Sequence, residues 1–186
     1  ILLPASNFLV TLAKLTIRDK QVKEEKWPLD ERFLDLPSFA LEQVKNVMER
    51  MATLSRDTLL MALETIEHYD AKKTAVIVAN EDEIDKYEDR LGTYLVQLST
   101  RQIVEKDSNE IGMFLHMIGD FERISDHAVN LTEVAQEMHD KKLAFSEAAK
   151  ADIRVFINPL SEMLLNTEDS LLWDNLDEER LNEPHV

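Results

Sequence analysis

Apolar residues recur every three to four positions through most of the chain after Pro37, which is the spacing of one face of an α-helix. The first such stripe runs from Leu41 to Ile66, and residues 68–71 interrupt it. The next segment, about 72–102, carries a seven-residue repeat. Its two seam positions hold Ile77, Ile84, Leu91 and Leu98 in one row and Asn80, Tyr87 and Tyr94 in the other. These patterns predict two long helices that pack side by side.

Two more helices are predicted in the second half of the chain. Asp107, with Glu110 three residues later, is typical of a helix start, and the predicted helix covers about 108–142. Its buried seam is expected to contain Ile111, Phe114, Ile118, Phe121, Ser125, Ala128, Thr132 and Ala135. Ser146 is expected to cap a fourth helix, in which Pro159 predicts a kink. The fold class that follows is all-α, an up-and-down antiparallel helical bundle.

Composition excludes several other classes of protein. With 3 Gly and 5 Pro in 186 residues, the chain has too few turn residues for an all-β fold. The lack of cysteine excludes disulfide scaffolds, thiolate zinc sites and cysteine nucleophiles. A formal net charge of −16 would repel a polyanion, so no nucleic-acid partner is expected, whereas cations are natural partners.

The first residues differ from the rest in charge. Residues 1–26 carry a net charge of +2, against −18 for the remainder. Residues 1–17 are apolar apart from Lys14 and are too short to span a bilayer alone. They indicate either a helix that packs on the domain or the trailing end of a membrane segment with basic residues on its cytoplasmic side. Residues 18–37 are predicted to be a charged linker.

Carboxylates are the candidate chemistry. Seven Asp/Glu pairs have i, i+4 spacing, but 37 acidic residues in 186 would give roughly seven by chance, so spacing alone singles out none. Position beside the predicted seams is more selective, because two neighbouring helices carry such pairs on equivalent flanks. These candidates are Glu81, Asp85, Glu122 and Asp126. Four close carboxylates repel one another unless a cation neutralises them, and all-oxygen ligands suit Mg²⁺, Mn²⁺, Ca²⁺ or iron.

Two strings in these helices resemble a known family. The string IGDFERISDHAVNL (118–131) is similar to the repeat signature of PhoU proteins, and EDEIDKY (81–87) is similar to its partner on the preceding helix. In PhoU-like proteins, Glu/Asp-xxx-Asp motifs bind metal clusters on three-helix repeats. The resemblance therefore implies that Glu81, Asp85, Glu122 and Asp126 are metal ligands and that Asn130 supports them. It implies iron, zinc or manganese as the metal.

The resemblance also implies a domain organisation. Residues 38–142 correspond to one PhoU-like three-helix repeat, and residues 143–186 to the first helix of a second repeat, which is only partly present. Residues 1–37 then form a membrane-proximal helix and linker. Residues 1–17 resemble the stretch after the last membrane segment of bacterial sodium/phosphate cotransporter II-related proteins, which favours the membrane-proximal interpretation over packing on the domain.

The function that follows is a cytoplasmic, non-enzymatic PhoU-like regulatory domain of a sodium-dependent phosphate transporter in a bacterial inner membrane. Its expected partners are the membrane part of its own transporter, phosphate as a further ligand on the metal, and a second copy of the chain that covers the apolar face of residues 153–172. A di-iron enzyme is disfavoured because no His has Glu three residues before it. The alternative is a structural or partner-binding helical adaptor that binds no metal.

Overall fold

A computed structural model describes residue 27 and residues 29–166, which contain four long α-helices and no strand. They are α1 (Pro37–Glu67), α2 (Ala71–Ser99), α3 (Glu105–Asp140) and α4 (Glu147–Asn166). A 3₁₀-helix, Glu31–Phe33, precedes α1. The all-α helical fold predicted from the sequence is confirmed. The predictions for residues 1–17 and for the chain after Asn166 lie outside the described residues.

Local sequence determines where the helices begin and end. Pro37 opens α1, where its missing N–H has no helical partner to lose. The side chain of Asp70 caps α2 by accepting a hydrogen bond from the backbone N–H of Lys72 at 2.8 Å. The predicted cap at Asp107 is wrong. The third helix begins earlier, at Glu105, and Asp107 lies in its first turn, where a carboxylate favours the positive end of the helix dipole.

Helices α1, α2 and α3 pack against one another as a three-helix bundle, and their buried residues form two hydrophobic clusters. The large cluster fills the end of the bundle that holds the α2–α3 turn. It contains Leu34, Ala40, Leu41, Val44, Val47, Met48, Met51, Ile84, Leu91, Tyr94, Leu95, Leu98, Ile111, Phe114 and Ile118. The small cluster, toward the α1–α2 turn, contains Leu59, Ala62, Leu63, Ile77 and Ala128.

A polar layer separates the two clusters. Ser55 and Thr58 on α1 and Ser125 on α3 are fully buried there. Each hydroxyl donates to a carbonyl of its own helix, for example Ser125 to Glu122 at 2.9 Å. The amide of Asn80 on α2 donates to Thr58 Oγ1 at 3.0 Å and so links two helices. The core is therefore divided at this level, although every hydroxyl of the layer has a hydrogen-bond acceptor.

Part of the predicted linker packs on the bundle. The ring of Trp27 meets Tyr87 of α2 edge-on, with centroids 4.7 Å apart, and the guanidinium of Arg90 lies 4.4 Å from the Trp27 centroid. Further along the segment, the hydroxyl of Tyr94 donates to the carbonyl of Asp30 at 3.2 Å, and Leu34 is only 3% exposed. This stretch follows α2 toward the large cluster.

Helix α4 packs chiefly against α1. Three of its apolar residues, Ile157, Leu160 and Leu164, lie against the small cluster, whereas Phe156 is 77% exposed. Among the described residues, no helix combines the length and the apolar character that crossing a membrane requires.

Candidate metal centre

The four predicted ligands lie on two adjacent antiparallel helices at the level of the polar layer. Glu81 and Asp85 belong to α2, and Glu122 and Asp126 belong to α3. Glu81 and Glu122 are half-buried, and the two aspartates are exposed. Helical spacing of four residues places each pair on one face of its helix, and the short α2–α3 turn brings the two faces together.

The two α2 carboxylates have raised pKa values. For Glu81, burial raises the pKa most, followed by the charges of Asp85, Asp82 and Asp126. For Asp85, burial again raises the pKa most, followed by the charges of Asp126, Asp82 and Asp89. Because Asp126 lies on α3, repulsion acts between the two helices as well as along α2.

The pKa of Glu122, on α3, is raised for the same reasons. Burial raises the pKa of Glu122 most, and the charges of Asp126, Glu88 and Asp85 raise it further. The charges of Asp85 and Asp126 therefore link the four residues that the sequence predicts as ligands across the two helices, although their side chains are not gathered around one point. We call Glu81, Asp85, Glu122 and Asp126 the carboxylate cluster.

In the described part of the chain, no ion pair forms with any member of the carboxylate cluster. The two basic residues nearest to it in sequence pair with other carboxylates. Lys86 contacts Glu83 at 3.1 Å, and Arg123 contacts Asp120 at 3.8 Å. The negative charge of the cluster is therefore not balanced by an ion pair of its own.

The chemistry of this donor set fits a hard or borderline cation, because the oxygens are anionic and come from two helices. The side chains as they stand do not form a finished coordination shell. Among the described residues, no three His, Asp or Glu side chains are gathered closely enough to hold a metal ion. A cation would have to draw the carboxylates of α2 and α3 toward one another. No ion pair of the cluster within the described residues would have to break for this to happen.

Sequence reasoning missed three further carboxylates around the cluster, all on α2. Asp82 and Asp89 act on Asp85, and Glu88 acts on Glu122 across the helix interface. Glu88 is half-buried and lies seven residues after Glu81, hence two turns further along the same face. That spacing of seven is the signal in the sequence that could have identified it. Asn130, predicted to support the ligands, lies exposed one turn after Asp126.

Known proteins with similar sequences are phosphate-transport accessory proteins. Residues 48–135 match the PhoU domain. The chain is 24% identical over 139 residues to a phosphate-specific transport system accessory protein PhoU homolog of Clostridium acetobutylicum, which covers 74% of this chain and 62% of the relative. It is 32% identical over 84 residues to a PhoU homolog of the same description from Xylella fastidiosa strain Temecula1, which covers 45% of this chain and 35% of the relative. No solved structure matches the chain.

The matched region holds the carboxylate cluster, most of α1, all of α2 and most of α3. The alignments with this chain span 62% and 35% of the two relatives, less than two thirds of either. The strings at 81–87 and 118–131, on which the resemblance rests, both lie within the residues that match the PhoU domain. Residues 48–135 are therefore similar to the PhoU domain, and the chain is similar in sequence to PhoU accessory proteins of phosphate-specific transport systems.

Proposed function

We propose that this chain is a cytoplasmic PhoU-type regulatory domain that controls a membrane phosphate transporter and that responds to cations bound by the carboxylate cluster. The observation that supports the proposal is the repulsion between carboxylates of α2 and α3, which raises the pKa values of Glu81, Asp85 and Glu122 while no ion pair within the described residues balances them. Repulsion between these carboxylates is unfavourable unless a cation neutralises it, which is what the proposal supplies.

The proposed ligands of the cation are Glu81, Asp85, Glu122 and Asp126, and the ion is iron, zinc or manganese. When bound, the ion supplies positive charge that removes the repulsion between the two helices. The protein residues do the rest. Glu81 and Asp85 would hold the ion from α2, and Glu122 and Asp126 would hold it from α3.

The transporter is proposed to be sodium-dependent and joined to the domain through residues 1–26. Two observations support a link at this side of the domain: the apolar character of residues 1–17, and the packing of Trp27 on α2, two residues from Asp85. Phosphate is proposed as a further ligand of the bound cation. A change at the cluster would then reach the membrane part through α2 and the segment that packs on it.

Elemental analysis of the chain purified without chelator tests this function. We expect bound iron, zinc or manganese in the parent and little in Glu122→Ala/Asp126→Ala. The matched control is Glu133→Ala/Glu137→Ala, which removes two exposed carboxylates of the same spacing from the same helix but outside the cluster. Loss of metal in the cluster variant alone supports the proposal. Equal metal content in all three, or none in any, contradicts it.

The second candidate function is a helical adaptor without metal. The finding that favours it is that no three acidic or histidine side chains of the described residues are gathered as they stand to hold an ion. In that case the carboxylate cluster on α2 and α3 would bind a basic partner segment directly. Elemental analysis separates the two functions, because the adaptor predicts empty protein even after incubation with each of the three metals.

A further inference from the structure

Helix α4 is held to the bundle differently from the other three helices. It lies beyond the residues that match the PhoU domain, and its apolar contact with the small cluster comes from Ile157, Leu160 and Leu164. These three residues are half-buried rather than buried. By contrast, α1, α2 and α3 each contribute several fully buried side chains to the core.

Two cavities flank this contact. One, of about 240 Å³, lies between the C-terminal ends of α1 and α3 and the start of α4, with Met138, Phe145 and Ile153 among its walls. The other, of about 510 Å³, lies between α1 and the middle of α4, with Leu60 and Asn158 among its walls. Space on both sides means that α4 touches the bundle along a narrow line, so less dispersion energy is gained there than in a close-packed core.

One ion pair sits between the two cavities. The guanidinium of Arg154 on α4 binds the carboxylate of Glu67 at the end of α1 through two contacts, Nε to Oε1 at 2.7 Å and Nη2 to Oε2 at 3.3 Å. Arg154 and Glu67 line both cavities. Two-point geometry of this kind fixes the orientation of the partners as well as their separation. It connects α1 to α4 across 87 positions of sequence.

The connection before α4 is suited to movement. Helix α3 is closed by two backbone hydrogen bonds, from Lys142 N–H to His139 O at 3.1 Å and from Leu143 N–H to Met138 O at 2.9 Å, with Lys142 in the left-handed region at φ 53°. Residues 143–146 have no regular structure. The end of α3 therefore stays closed whether or not α4 is docked.

We propose that α4 is a latch helix, which detaches from the three-helix bundle as a unit while α1–α3 stay folded, and that the Arg154–Glu67 ion pair sets the fraction of molecules in which it is docked. Detachment opens the apolar surface of Leu60 and Leu63 on α1. The inference does not depend on metal binding at the carboxylate cluster, which lies at the α2–α3 interface.

Amide hydrogen exchange of the full chain, followed by mass spectrometry of peptides from α4 and from α1–α3, tests the latch. In the parent we expect α4 amides to exchange through an opening that leaves α1–α3 protected. Glu67→Gln should accelerate exchange in α4 by about three- to tenfold, the range expected for a partly exposed two-point ion pair, with little change in α1–α3. The double variant Glu67→Arg/Arg154→Glu should restore most of the protection.

The matched control is Glu64→Gln. Glu64 lies one turn before Glu67 on α1, and its ion pair is made with Lys73 of α2, so its loss should leave α4 exchange within about twofold of the parent. Three results would overturn the latch: equal exchange rates of α4 and α1–α3 in the parent, an acceleration by Glu67→Gln no larger than by Glu64→Gln, or an acceleration that spreads equally over all four helices.

Discussion

The two ends of the three-helix bundle are filled differently. The large cluster contains fifteen buried apolar residues and the small cluster contains five, with the polar layer between them. The carboxylate cluster lies at the level of that layer, and α4 docks beside the small cluster. Because apolar burial is the dominant favourable contribution to folding, stability is concentrated at the large-cluster end. The polar layer can therefore hold repelling charges, and the small-cluster end a loosely packed helix, without unfolding the domain.

The largest expected effect compares one leucine from each cluster. Leu91→Ala removes a side chain with 0% exposure from the large cluster, and Leu63→Ala removes one with 7% exposure from the small cluster. We expect Leu91→Ala to lower the free energy of unfolding by about 3–5 kcal/mol. The loss for Leu63→Ala should be smaller by about 1–2 kcal/mol, because the small cluster can relax toward its neighbouring cavity. Urea denaturation at pH 7 measures both. Equal losses would remove the distinction between the two ends.

The next effect concerns the boundary between the clusters. Asn80→Ala removes the hydrogen bond to Thr58 and should cost about 1 kcal/mol in free energy of unfolding. Asn80→Leu should recover part or all of that loss, because a leucine at this seam position would join the two clusters into one apolar core. The same urea titrations compare the two variants. A leucine variant no more stable than the alanine variant would show that the layer is not a weak point of the core.

A smaller effect is expected where α3 ends, beside the small cluster. Lys142 holds a left-handed backbone conformation at φ 53°, which costs a residue with a side chain about 1 kcal/mol and costs glycine almost nothing. Lys142→Gly should therefore raise the free energy of unfolding by about 0.5–1 kcal/mol, offset in part by the greater freedom of glycine in the unfolded chain. Thermal denaturation measures the change. A lower melting temperature would indicate that the lysine side chain itself stabilises this end.

The smallest effect is a dependence of stability on pH. The pKa values of Glu81, Asp85 and Glu122 are raised in the folded chain, so the folded state binds more protons than the unfolded state over the pH range in which these groups titrate. Their contribution to stability is present at low pH and is lost as the pH rises through the raised values. Asp85→Asn/Glu122→Gln should therefore be more stable than the parent at pH 7, by on the order of 0.5 kcal/mol in metal-free buffer.

The control for that prediction is the same comparison of parent and variant at a lower pH. As the pH is lowered from 7 toward 4, Glu81, Asp85 and Glu122 take up protons, so the difference in free energy of unfolding between parent and variant should shrink. Urea titrations at the two pH values, both with chelator present, give the comparison. A variant that is equally or less stable than the parent at pH 7 would mean that the carboxylates of α2 and α3 do not repel one another appreciably.

Much of the fold could be predicted from the sequence because helical periodicity is a local signal. Ile77, Ile84, Leu91 and Leu98 repeat every seven residues, and all four are fully buried in α2. The predicted start of α3 is three residues late. Its cap residue, Val104, makes no side-chain hydrogen bond, so it is not a residue type that indicates a helix start. The four carboxylates were found from their positions beside these seams, which again is local information.

Contacts between distant residues could not be predicted in this way. The packing of Trp27 on Tyr87 joins residues sixty positions apart, and the ion pair of Arg154 with Glu67 joins residues 87 apart. No periodicity connects the members of such pairs. The polar layer could not be predicted for a different reason. Ser125 falls in step with an apolar seam, and its spacing does not indicate that buried hydroxyls of α1 lie at the same level of the core.

The measurement that tests the central claim most directly is a titration of the metal-free chain with Mn²⁺, with free Mn²⁺ followed by electron paramagnetic resonance. We predict saturable loss of the free-ion signal, with at least one ion bound per chain, in the parent and in Glu133→Ala/Glu137→Ala. Glu122→Ala/Asp126→Ala should leave the signal close to that of buffer. The same free-ion signal for all three proteins, up to about 1 mM Mn²⁺, would contradict a cation site at the carboxylate cluster.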